Sequence, residues 1–128
     1  LILFAEKNFW MEEDTYTMKP EADLRMWSAF IDAADYFVGC DSVGQHMARA
    51  FNKPGTVIIG STFSINTSYP DFFNIIEKDI PKIYSPIRIS GLESHLADRV
   101  NEATVEFTDD EINGIYASIV KDLEKKVK

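Results

Sequence analysis

At 128 residues, with 45% hydrophobic and 12% aromatic content, the chain is the size of one domain and carries enough apolar side chains for a core. Thirteen basic against twenty-one acidic residues give a formal charge of −8, a field that repels nucleic acid and anionic lipid rather than collecting them. The apolar runs fall far short of the roughly 20 residues that cross a bilayer, no signal-peptide pattern opens the chain, and the lone Cys40 rules out an internal disulfide and fits a reducing compartment.

In chain order, the apolar run from Leu1 to Ala5 predicts a short strand buried on both faces, and its position at the first residue suggests a piece of a longer protein. The polar stretch EKNFWMEEDTYTMK predicts a loop anchored by Phe9, Trp10 and Tyr16, with Glu12, Glu13 and Asp14 on a solvated face. From Pro20 the spacing of Leu24, Trp27, Ile31 and Ala34 predicts an amphipathic helix, with Pro20 in its first turn and Glu21 and Asp23 favourable to its dipole. Residues 36–40 predict a strand. Asp41 or Ser42 then caps a helix whose apolar face is Val43, Met47, Ala50 and Phe51, ended by residues 52–55. The β-branched run TVIIG predicts a central parallel strand, and the Ser, Thr, Asn and Pro content of residues 61–70 predicts a loop.

Beyond it, residues 71–79 predict a short helix, Ile80 to Ser90 an extended or edge segment because of Pro81 and Pro86, and Leu92 to Val100 a further short helix. Thr108 and Glu111 form a capping box that opens a C-terminal docking helix over 108–128, with Ile112, Tyr116, Ile119, Leu123 and Val127 as its apolar stripe. The Lys-rich end compensates that helix's dipole. Strands alternating with helices at these spacings indicate an α/β chain with a Rossmann-like parallel sheet and flanking helices. In such sheets a ligand sits beyond the carboxyl ends of the strands, here Gly39 to Ser42 and Gly60 to Ser64.

Free N–H groups at Ser42, Val43 and Gly44, with a helix dipole behind them, suit a phosphate, and the Ser42 hydroxyl adds a donor. His46, four residues on, shares a helix face with Ser42 and can donate to a phosphate oxygen or hold Asp41. Asp41 can cap the helix, bind a ribose hydroxyl, or hold a cation such as Mg2+ that bridges to phosphates. The plain alternative is an ordinary helix start. A Ser42 nucleophile lacks its elbow motif, a zinc site from Cys40, Asp41 and His46 lacks paired ligands, and His95 reads as a surface histidine. Across the rim, the hydroxyls of Ser61, Thr62 and Ser64 can meet ligand oxygens; the alternative is a solvated loop with Tyr69 and Pro70 packed down.

Residues 30–70 resemble the carboxy-terminal domain of glycosyltransferase family 9, the heptosyltransferases of lipopolysaccharide synthesis. The likeness runs through Ala34, Asp35, Gly39, Asp41, Ser42, His46, Ala48, Ala50, Lys53, Pro54, Gly60, Thr62 and Pro70. It implies the nucleotide-sugar half of a GT-B enzyme, with Asp41, Ser42, Val43, Gly44 and His46 against the donor diphosphate. The family's glycine after its Asp-Thr pair is Val43 here, and the glycine comes one place later, at Gly44. The resemblance further implies an inverting transfer from a nucleotide diphosphate sugar to a glycan or lipid-linked acceptor. The catalytic base then belongs to a missing N-terminal domain, and the enzyme works in the cytoplasm, with peripheral attachment at the inner membrane as an option. A non-catalytic nucleotide- or anion-binding module, or an interaction module of the same fold, is the competing reading.

Overall fold

Four of the five residues from Gly55 to Ile59 are β-branched, and they form the centre of a parallel sheet. The computed structural model describes residues 23–82 and 103–127, with the backbone alone of 2–4, 16–18 and 102. Strands β1 (Ile2–Phe4) and β2 (Tyr16–Met18) make a parallel pair. A second parallel sheet has the order β3 (Phe37–Cys40), β4 (Gly55–Ile59), β5 (Asn74–Glu77). Helices α1 (Leu24–Ala33), α2 (Val43–Ala50), α3 (Ser64–Thr67) and α4 (Asp109–Lys126) flank these strands, and a short 3-10 turn spans Glu102–Thr104. The chain is therefore α/β, and its sheet and flanking helices are consistent with a Rossmann-like fold.

Side chains alternate across β4 and give the sheet two unlike faces. Val57 and Ile59, both fully buried, pack with Ile31 of α1, Ala48 of α2 and Phe73 in the apolar core. Full burial of a side chain of this size contributes about 1.5–3 kcal/mol. Thr56, on the opposite face, joins a polar belt: its hydroxyl lies 2.8 Å from the Tyr36 hydroxyl and accepts from Asn74 Nδ2 at 3.0 Å. The belt continues into α4. Asn74 also donates to Ser118 (2.9 Å), Tyr36 donates to Asp122 (2.6 Å), and Lys126 pairs with Asp122 at 3.1 Å and donates to the Phe72 carbonyl.

Helix ends follow local chemistry. Asp23 caps α1 by accepting from the Met26 N–H, and Thr108 caps α4 by accepting from the Glu111 N–H at 3.2 Å, a device worth about 1 kcal/mol. Helix α2 closes in a Schellman motif. Asn52 adopts a left-handed φ of 52°, its N–H reaches the Arg49 carbonyl, the Lys53 N–H reaches the Ala48 carbonyl, and Pro54 follows.

Several elements differ from the sequence expectation. Tyr16–Met18 lies in the expected loop yet pairs with β1, which gives its β-forming Tyr16 and Thr17 a partner strand. Residues 64–67 form one helical turn inside the loop after β4. The helix expected over 71–79 is instead a turn and strand β5, because Ile75 and Ile76 are β-branched and Val57 and Ile58 of β4 stand beside them in register. Helix α1 begins at Leu24, with Ala34 as its C-cap; Pro20 and Glu21 lie outside the described residues, as do the acidic run at 12–14, the extended segment past 82, the helix at 92–100 and His95.

The buried faces of two helices also differ. In α2 the fully buried residues are Gln45 and Ala48, with Met47 packed beside the core, while Val43 and Phe51 are about 40% exposed. In α4, Ser118, Asp122 and Lys126 bond to the sheet and its flanks, and the expected stripe is only partly buried: Ile112, Tyr116 and Leu123 are exposed, while Ile119 and Val127 are half-buried. Among the described residues no helix is long and apolar enough to cross a membrane.

Candidate functional site

All three strands of the larger sheet run the same way, so Cys40, Ile59 and Glu77 end at one rim, and the loops after them are tied together there by carboxylates. Asp41, directly after β3, accepts from Gln45 Nε2 at 2.6 Å with Oδ1 and from the Thr62 hydroxyl at 2.6 Å with Oδ2. Gln45 is fully buried and also donates to the Thr67 carbonyl at 3.0 Å, while its Oε1 has no partner among the described residues. Thr67 adds a bond to the Thr62 hydroxyl. The start of α2 is thus fastened to the loop after β4.

Glu77 fastens the same loop to the third strand. It accepts from the hydroxyl (2.6 Å) and N–H (3.3 Å) of Ser64 and pairs with Lys82 at 3.0 Å, and Lys82 also donates to the Gly60 carbonyl. Burial pushes the Glu77 carboxyl up, but the Ser64 and Lys82 contacts outweigh it and hold the group below its ordinary value.

Between α2 and the end of this loop lies an open cavity of about 370 Å³, lined by Asp41, His46, Asn66, Thr67, Ser68 and Tyr69. His46 is exposed, its Nδ1 stands 2.9 Å from the Tyr69 hydroxyl, and its ring meets Tyr69 edge-on at 5.6 Å between centroids. The Ser68 hydroxyl oxygen is shielded from solvent and has no hydrogen-bond partner among the described residues. Ser42 occupies the N-cap position of α2 in extended geometry, and its side chain makes no cap bond. The first turn of α2 therefore lacks the usual N-cap side-chain acceptor for its outward N–H groups.

Of the residues expected at the diphosphate, Asp41 and His46 share the cavity wall, whereas Ser42, Val43 and Gly44 sit at the helix start and are not part of its lining. Gly44 has a packing reason to be glycine: a Cβ there would lie 3.1 Å from the Phe37 ring. The hydroxyls of Thr62 and Ser64 are committed to Asp41 and Glu77. His46 contacts Tyr69 rather than Asp41. Gln45, Asn66, Thr67, Ser68 and Glu77 are not among the residues expected from the sequence, and Tyr69 is expected there only as a packed aromatic. The Asp41 to Gln45 spacing of four was the available signal for one of them.

Among the described residues no three His, Cys, Asp or Glu side chains gather as a metal site. Compared with known proteins, the chain matches no family model, no curated protein and no solved structure.

Proposed function

We propose that this chain is the donor-binding domain of a GT-B glycosyltransferase that takes a nucleotide diphosphate sugar. One observation carries the reading: uncommitted hydrogen-bond donors gather at the carboxyl rim of a parallel sheet. These are the first turn of α2 with the Ser42 hydroxyl, the exposed edge of His46, and the unpartnered Ser68 hydroxyl at the cavity. A helix N-terminus at such a rim favours a phosphate, and a volume of about 370 Å³ falls within the usual range for a small-molecule site. In a transfer reaction these donors would stabilise charge building on the leaving diphosphate, a contribution larger in the transition state than in the bound substrate. Asp41 holds the two loops in place, and its remaining lone pairs are available to a sugar or ribose hydroxyl or to a Mg2+ ion. The catalytic base and the site for a glycan or lipid-linked acceptor belong, on this reading, to an N-terminal domain, in an enzyme working in the cytoplasm or peripherally at the inner membrane.

A second reading, a nucleotide-binding module without chemistry, draws on the state of Asp41. Both of its oxygens tie the two loops together, a structural task that a binding module would keep without any chemistry. Calorimetric titration of ADP, UDP and their sugar conjugates into the full-length protein tests both. Saturable binding followed by sugar transfer supports the first, binding without turnover favours the second, and no binding of any nucleotide sinks both.

A further inference from the structure

We propose that Tyr69 is a positioning residue that fixes His46 as its Nε2–H tautomer, so that the cavity is offered a hydrogen-bond donor and not a base. A neutral imidazole has one donor and one acceptor nitrogen, and the bond made by one decides the role of the other. Here Nδ1 lies 2.9 Å from the Tyr69 hydroxyl. The lone pair of a phenol is drawn into its ring, which makes the hydroxyl a good donor and a poor acceptor, while the bare imidazole nitrogen is a good acceptor. O–H to Nδ1 is therefore the favoured pairing, and the proton of the imidazole resides on Nε2.

Tyr69 is itself held firmly enough to impose this. Its carbonyl accepts from the N–H groups of both Phe72 and Phe73 at 2.9 Å. Its ring packs edge-on against Phe73 at 6.0 Å, with the Arg49 guanidinium 5.9 Å from its centroid. His46 lacks such support, being exposed on α2, and the Tyr69 hydroxyl is its one hydrogen bond among the described residues. Without that bond the imidazole is free to turn over and exchange its two nitrogens. With it, the ligand atom that meets Nε2 must be an acceptor, such as a phosphate oxygen. The choice of phosphate rests on the donor-domain reading; the tautomer does not.

The test is nitrogen NMR of the neutral His46 ring in the 15N-labelled full-length protein, assigned by its loss in His46→Gln, together with ADP titration. The expected result is an unprotonated, hydrogen-bonded Nδ1 that moves by several parts per million toward the free imine position in Tyr69→Phe. The same variant is expected to bind ADP about fivefold more weakly, the usual effect of one hydrogen bond. A protonated Nδ1 in the native protein, or an Nδ1 signal unmoved by Tyr69→Phe, would overturn the proposal. The native spectrum decides the tautomer even if that variant fails to fold. If the nitrogen pattern is as expected but ADP does not bind, the nucleotide reading falls and the tautomer assignment stands.

Discussion

Gly55 opens β4 opposite Phe37, and a Cβ added there would stand 2.5 Å from the Phe37 carbonyl oxygen, a backbone atom that cannot step aside alone. Gly55→Ala is therefore expected to cost about 1–3 kcal/mol, as overpacking does, and urea unfolding would read it directly. Asp41 is the second residue on which local structure turns. Removing its carboxylate strips Gln45 of one acceptor and Thr62 of its own. Asp41→Ala should lower stability by about 3 kcal/mol or more, since it removes two hydrogen bonds to a charged group, each worth about 1.5–3 kcal/mol, and an unchanged midpoint would show the rim to be held by other contacts.

Helix α4 shows how an element can be read correctly as a helix and wrongly as a surface. Ile112, Tyr116, Ile119 and Leu123 recur at four and three residues, the ordinary sign of a buried stripe, yet Tyr116 is 68% exposed and Ile112 51%. The helix is seated by Ser118, Asp122 and Lys126, polar residues whose partners Asn74, Tyr36 and the Phe72 carbonyl lie 44 or more positions away in the chain. Periodicity records which side chains are apolar; it holds no information about distant hydroxyls and carboxylates that satisfy one another. Asp122→Ala should accordingly cost about 2 kcal/mol, while Ile112→Ser or Tyr116→Ser should stay within about 0.5 kcal/mol, as surface changes do. The opposite ranking in thermal melts would restore the apolar stripe as the docking face.

The same contact predicts a pH response. Burial and then the bond to Asp122 raise the Tyr36 phenol above its ordinary value, against a smaller opposing effect of Thr56. The unfolded chain then loses the proton first, so the stability is complete below about pH 10 and falls as pH rises beyond it. Tyr36→Phe should flatten that alkaline decline, and an equally steep decline in the variant would contradict the assignment.

At the scale of the molecule, the parts legible in the sequence were those set by local pattern: the strand, turn, helix and strand over 37–59, and the capping box of α4. Strand β5 was not among them. Ile75 and Ile76 suit a strand, but the segment is short and becomes extended because β4 lies beside it. The rim was legible as a place, through the expected carboxyl ends of β3 and β4, but its inner wiring through Gln45, Thr67 and Glu77 joins residues up to 22 positions apart. With a formal charge of −8, the whole chain opposes anions, so on the proposed reading a phosphate would be held by the short-range donors of α2, His46 and the loop after β4.

The most direct test of that claim is calorimetric titration of ADP into the full-length protein and its His46→Ala variant. His46 is exposed, so the substitution should leave the melting temperature unchanged. Saturable binding at one site, weakened about tenfold by the variant, is expected. Equal affinity in both proteins, or no heat of binding in either, would contradict it.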